Sequence, residues 1–298
     1  MTHGDALGGG GALSSLRTYR YARLSLVAAV VLLGTGLAWH FATGGPLRSI
    51  SASYYTPIRS LFTGALVAVG VALVVLAGRS VRRFLLLLAG MTAPVIALVP
   101  VPLTSEELRR LLGTACPGGA TACLPDRAAK EVAASLPAYL ITAAAVLLTS
   151  VVLLALDRVL DRWALVRTGI AAALLIALAG WSTFPSFLRL GHYAAAGLFF
   201  FLIAITAGIH AAAVREEGAS GPGTPRFYSR CYAALAVLIA AVDATLIALL
   251  LSGRGTELLG EQWLLLGEAL ALALFGVFWV LQTVENWDRP DALLLARR

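Results

Sequence analysis

Eight apolar stretches, each about as long as the hydrocarbon core of a bilayer is thick, fill most of this 298-residue chain, and nearly every charge lies between them. A helix needs roughly 20 apolar residues to cross about 30 Å of lipid. Backbone N–H and C=O groups cannot stay unpaired there, so each stretch is expected to be an α-helix. The spans read as 24–43, 61–78, 84–101, 136–156, 168–184, 193–214, 231–251 and 263–281. The fold class that follows is all-α: a polytopic transmembrane bundle of about eight helices. Composition agrees, since only 13% of residues are charged, about half the share of a soluble domain. Mean hydropathy is +0.84. Pro94 and Pro100 predict a kink in the third span.

The basic residues orient the bundle. The chain has 22 arginines and one lysine, Lys130. Fifteen of these 23 cations fall on the side that holds both termini, among them Arg17, Arg20, Arg23, Arg79, Arg82, Arg83, Arg289, Arg297 and Arg298. The positive-inside rule then puts both termini in the cytoplasm of a cell that keeps this protein in its cytoplasmic membrane. The net charge of +7 is accounted for by this bias, with the anionic inner leaflet as partner. No soluble segment is long enough to carry a nucleic-acid-binding face. Residues 1–23 read as a cytoplasmic N-terminal tail, 24–284 as one transmembrane domain, and 285–298 as a C-terminal tail. The first span exceeds the usual signal-peptide core and lacks a small-x-small cleavage site, so it is expected to be retained.

The loop 102–135 should lie outside. Thr104 and Glu107 fit a capping box opening a short amphipathic helix. Cys116 and Cys123, on the oxidising side with six residues between them, predict a structural disulfide. Cys231 is expected to be a free, packed thiol, and 215–230 a flexible Gly/Pro/Ser connector.

Ionisable groups inside lipid are costly, so each is a functional candidate. His40, Arg59, His192 and Glu268 gather in the outer half, with Asp243 deeper and Tyr54, Tyr55 and Trp181 at the rim. Arg59 suits a phosphate or carboxylate through paired hydrogen bonds. His192 and Glu268 suit hydrogen-bonding or proton-carrying roles. Asp243 with Glu268 would make a proton relay. His210 and Glu285, at cytoplasmic ends, are expected to be interfacial. The bland alternative has Arg59 snorkelling to lipid, the aromatics forming an ordinary belt and Glu268 pairing to hold helices together. Gly64, Ala68 and Ala72 form a small-xxx-small face that suits internal packing and a homo-oligomer contact equally.

Several chemistries are disfavoured. Retinal needs a lysine inside a span, and Lys130 is in a loop. No HExxH, GxSxG or Walker pattern sits in a usable context. No metal site and no cofactor are expected. A bis-histidine haem on His40 and His192 rests on two residues alone.

Three segments carry a family likeness. They are Ser49-Ile50-Ser51-Ala52-Ser53-Tyr54-Tyr55-Thr56-Pro57-Ile58-Arg59, then Gly191-His192-Tyr193 with the small residues that follow, and Gly267-Glu268-Ala269-Leu270. Together they resemble a group of bacterial polytopic membrane proteins with an SIS-YY-T-P-x-R loop. More loosely they are similar to the DRAM/Sfk/PGAP-type family of eukaryotic membrane proteins, which have about six spans and commonly an acidic residue where Ala52 stands. The resemblance implies a role in lipid organisation or modification and points to Arg59, His192 and Glu268. Three functions follow as expectations. The first is binding or handling of a lipid or amphiphile headgroup at the outer leaflet. The second is proton-coupled transport through Asp243 and Glu268. The third is a membrane-embedded lipid hydrolase or transferase with His192 as base and Ser51 or Ser53 as nucleophile, although nothing in sequence places either serine beside His192.

Overall fold

The computed structural model describes residues 5–78 and 80–287. Residues 1–4 and 288–298 of the expected tails, and Arg79, Arg289, Arg297 and Arg298 of the basic bias, lie outside them. The fold is all-α. Helix α1 (Asp5–Thr43) leads through a 3₁₀ turn (Ser51–Tyr55) into α2 (Arg59–Leu76) and α3 (Val81–Leu98). Next come strand β1 (Leu103–Thr104), α4 (Ser105–Leu112) and strand β2 (Ala122–Cys123). The chain continues as α5 (Asp126–Leu156), α6 (Arg162–Trp181), α7 (Pro185–Glu217), α8 (Pro225–Ser252), the short α9 (Gly255–Leu259) and α10 (Trp263–Glu285). Among the described residues, eight helices are long and apolar enough to cross a membrane: α1, α2, α3, α5, α6, α7, α8 and α10.

Local signals set the ends. Ser80, Asp161 and Thr224 each cap a helix by accepting from the backbone N–H three residues on. Thr104 and Glu107 form the predicted capping box on α4. Gly113 and Gly253 close helices in the left-handed conformation. Some boundaries differ from expectation. Helix α1 already begins at Asp5, inside the expected tail. Helix α3 stops at Leu98, so Pro94 is inside it while Pro100 is beyond its end. Helix α7 starts at Pro185, so His192 lies two turns in rather than at the opening. The connector between α7 and α8 shrinks to residues 218–224. Within it Gly221 lies against α10, where a Cβ would stand 2.7 Å from the Glu285 Cα.

Six helices close a ring, in which α1 packs on α2, α2 on α3, α3 on α7, α7 on α8, α8 on α10, and α10 back on α1. Helix α5 leans on α3 from outside, where Tyr139 donates to the Met91 carbonyl at 2.5 Å, and α6 packs mainly on α5. The outward faces of this hairpin, with Ile141, Leu148, Leu156 and Ile176 more than 60% exposed, suit lipid. In the ring α2 and α3 approach closely at Gly70 and Gly90. A Cβ on Gly70 would stand 2.9 Å from the Gly90 carbonyl, and one on Gly90 2.8 Å from the Gly70 carbonyl. The Gly64–Ala68–Ala72 face does not make this contact: Gly64 and Ala68 are exposed, and only Ala72 is buried.

The disulfide Cys116–Cys123 is present, next to the antiparallel pair in which Leu103 faces Cys123. Cys231 is a half-buried free thiol. The loop end of the bundle is tied down by Arg48, which bridges Glu106 at 2.7 Å and Glu261 at 2.6 Å.

Candidate functional site

Between α1 and α2 the chain lies against the first turns of α10. The Leu265 N–H donates to the Arg48 carbonyl at 3.0 Å. One turn later the Glu268 carboxyl takes over: its Oε2 accepts from the N–H groups of Ile50 and Ser51, the latter at 3.3 Å. These are N–H groups at the start of the 3₁₀ turn, without carbonyl partners of their own. The other oxygen, Oε1, is 2.9 Å from Ser51 Oγ. Ser51 Oγ is in turn 2.8 Å from His192 Nε2, and His192 Nδ1 is 2.7 Å from the Val99 carbonyl. That carbonyl is free because Val99 closes α3, so no N–H four residues on returns to it. Ser51 and His192 are buried at 6% and 2% exposure.

The heavy atoms fix a proton count. A carbonyl oxygen only accepts, so His192 Nδ1 carries a proton. Two hydrogen bonds remain, Nε2–Oγ and Oγ–Oε1, and they need two protons. Ser51 supplies one. The other sits on Oε1 of Glu268 or on Nε2 of His192. The three side chains are therefore neutral as a set, either as carboxylic acid with imidazole or as carboxylate with imidazolium. Among the described residues no arginine or lysine pairs with Glu268, and even a half-buried carboxylate facing an apolar space is costly without a cation. Sharing one proton removes that cost.

Below this chain, inside the helix ring, lies a narrow, partly open cavity of about 70 Å³. Ser51 and Glu268 are on its wall, and the rest is apolar, including Leu33, Phe62, Val69, Phe199, Leu272 and Phe275. Glu268, half-buried, faces this space. At the loop end a second, open cleft is lined by Ser49, Leu103, Glu107, Tyr193, Glu261 and Trp263. Ser49 and Tyr193 are sequence neighbours of Ser51 and His192, so the polar chain lies close to both spaces.

Of the expected outer set, His192 and Glu268 meet through Ser51, while the others do not join them. Arg59 turns to Glu131 on α5 at 2.5 Å and lies over the Tyr54 ring, 3.9 Å from its centroid. Tyr54 donates to the same carboxylate at 2.8 Å. Burial, then the bond to Glu131, pushes the Tyr54 phenol up to about 12. Tyr55 donates to the Val101 carbonyl at 2.8 Å, and burial raises its phenol further. His40 is buried on α1 with no partner for its Nε2, away from the cavity wall. Trp181 donates to Ser186 at 3.0 Å. Asp243, buried on α8, faces Gly197 of α7 and is not joined to Glu268 by a hydrogen bond. Sequence reasoning offered Ser51 only as one of two candidate nucleophiles, with nothing to place it beside His192, and it left Glu131 out altogether. The Ile-Ser loop signalled the first, and nothing local signals the second.

A second buried cluster sits at the opposite end. Glu285 and His210, expected at the interface, are 1% and 9% exposed and pair at 2.9 Å. Tyr232 donates to Glu285 Oε2 at 2.6 Å, and Arg82 to His210 Nδ1 at 2.9 Å. No protein-family model, curated protein or solved structure matches this chain, so the chemistry of the site is read from its geometry.

Proposed function

We propose that this multi-pass membrane protein binds an amphiphile whose apolar chain occupies the cavity of the six-helix ring and whose polar end meets Ser51, His192 and Glu268. The observation that carries this reading is a narrow, partly open apolar cavity of about 70 Å³ with its polar groups at one place on the wall. That is the usual build of a small-molecule site: mostly apolar lining, with a few convergent polar atoms that fix orientation. The neutral Glu268–Ser51–His192 set favours an uncharged polar group, such as a hydroxyl or an ester, over a phosphate. Arg59, engaged by Glu131, is left out of the site.

The positive-inside bias supports both termini in the cytoplasm, the disulfide loop and the polar chain on the outer side, and residence in the cytoplasmic membrane. The ligand is then taken from the outer leaflet.

The test is native mass spectrometry of the protein in mild detergent, with lipid analysis of what stays bound. A defined amphiphile is expected with the native chain. It should be lost from Ala196→Trp and Leu66→Trp, which fill the cavity, and kept by Arg59→Ala. Bulk lipid bound equally by all of them would end this reading.

A further inference from the structure

Resting on that reading, we infer that Ser51 is a nucleophile and that the bound amphiphile is an acyl ester whose acyl group passes onto Ser51 Oγ. The arrangement is that of an activated serine: a nucleophile within hydrogen-bond reach of a base, and the base oriented by a third group. Ser51 Oγ is 2.8 Å from His192 Nε2. His192 Nδ1–H is held by the Val99 carbonyl at 2.7 Å, which fixes the tautomer that leaves Nε2 free to accept. Of the other loop serines, Ser49 accepts from the Ala52 N–H at 3.0 Å and Ser53 is fully buried with no side-chain partner among the described residues, so of the three Ser51 is the one that meets a base.

The proton count supplies the competent form. With the extra proton on Glu268, the Ser51 O–H donates to Nε2. Oγ then adds to the ester carbonyl carbon, and its proton moves to Nε2. The carbonyl oxygen becomes negative and accepts from the Glu268 carboxylic O–H, which turns to it from Oγ, while the Ile50 and Ser51 N–H groups hold that carboxyl in place through Oε2. The bond from carbon to the leaving alkoxide oxygen breaks, and the alkoxide takes the proton from Nε2. An acyl-Ser51 ester remains, with its chain in the cavity. Water from the loop-end cleft adds to the acyl carbon and gives a proton to Nε2, which returns it to Oγ as the fatty acid leaves. Ester and water become acid and alcohol, with no oxidant, metal or further reactant.

The apolar cavity gives the substrate class. Its apolar and partly open walls suit an acyl chain that passes Ser51, and the neutral cluster does not call for a charged group at the scissile bond.

The experiment uses the full chain in mild detergent with a hexadecyl fluorophosphonate, read by peptide mass spectrometry. The expected result is a phosphonyl adduct on Ser51, absent from Ser51→Ala and formed at an unchanged rate in Ser53→Ala. In His192→Gln the rate should fall by ~100-fold or more, the usual worth of a general base. A methyl fluorophosphonate should react more slowly than the hexadecyl reagent. Protein that retains a defined amphiphile yet forms no Ser51 adduct overturns this inference and leaves the binding reading intact. An adduct that persists in Ser51→Ala overturns it as well. Protein that neither retains an amphiphile nor reacts sinks both.

Discussion

The two ends of the bundle each bury a histidine and a glutamate, and they use them in opposite ways. At the loop end His192 meets a carbonyl through Nδ1, so that nitrogen must donate. At the other end His210 meets Arg82 through Nδ1, and a guanidinium only donates, so that nitrogen must accept. His210 therefore gives its Nε2–H to Glu285, which also receives Tyr232 and Asn286 at 2.6 and 3.2 Å. Arg82 adds its charge and reaches Glu217 at 3.2 Å, while Arg23 binds the Asn286 carbonyl at 3.0 Å. His210, Tyr232 and Asn286 all donate to one Glu285 oxygen, with Arg82 and Arg23 close behind, which makes that cluster a brace between α3, α7, α8 and α10. Glu268 has no such cation. Its cluster holds one proton that belongs to neither partner outright, and it opens on a cavity. Similar residue types thus give a fixed joint in one place and a transferable proton in the other.

The largest effect should come from breaking the brace. Glu285→Ala leaves Tyr232 and His210 without their acceptor and buried positive charge uncompensated, at a cost of about 3–5 kcal/mol. Thermal unfolding in detergent reads this as a lower midpoint. Glu268→Ala removes bonds to Ile50, Ser51 N–H and Ser51 Oγ and should cost less, about 1–3 kcal/mol.

The comparison sharpens with isosteric amides. Glutamine resembles a protonated glutamate, so Glu268→Gln can keep donating to Ser51 Oγ and accepting from the two N–H groups. It should change stability by under about 1 kcal/mol. Glu285→Gln discards the charge that Arg82 and Arg23 answer, and should cost clearly more. The reverse order would refute the proton assignment at both ends.

Arg59→Ala should lower stability by at most about 1 kcal/mol, as its bridge to Glu131 is partly solvated. It should leave amphiphile retention unchanged, and a loss would return Arg59 to the site. The smallest effect concerns Tyr54. The folded chain holds its proton up to about 12, whereas an unfolded tyrosine ionises near 10. Its contribution is therefore complete below pH 10 and is lost as pH rises through 12. The decline in unfolding midpoint across that range should be shallower in Tyr54→Phe.

Much of the scaffold was legible in the sequence, because the signals are local. Twenty apolar residues form a helix in lipid wherever they pack, Thr104 and Glu107 form a capping box within one turn, and Cys116 and Cys123 are near enough to meet through a short loop. Helix ends were less legible. The apolar record does not separate α7 from its polar first turns, where Pro185 starts the helix, and this moved His192 from a helix opening to its interior. The grouping of outer polar residues was legible only as a shared depth.

Sequence by itself determined the all-α class, the eight apolar helices, the capped α4 and the disulfide, since each depends on neighbours within a few residues. Tertiary structure decided which polar groups meet. Arg59 and His192 lie at similar depth, yet one faces Glu131 on α5 and the other Ser51. Ser51 gains its role from residues 141 and 217 positions away, and from the backbone carbonyl of Val99, which has no side-chain signature. Depth in a membrane follows from the count of residues along one helix. Facing follows from how six helices close a ring, where Gly70 and Gly90 let α2 and α3 approach and leave the cavity within it.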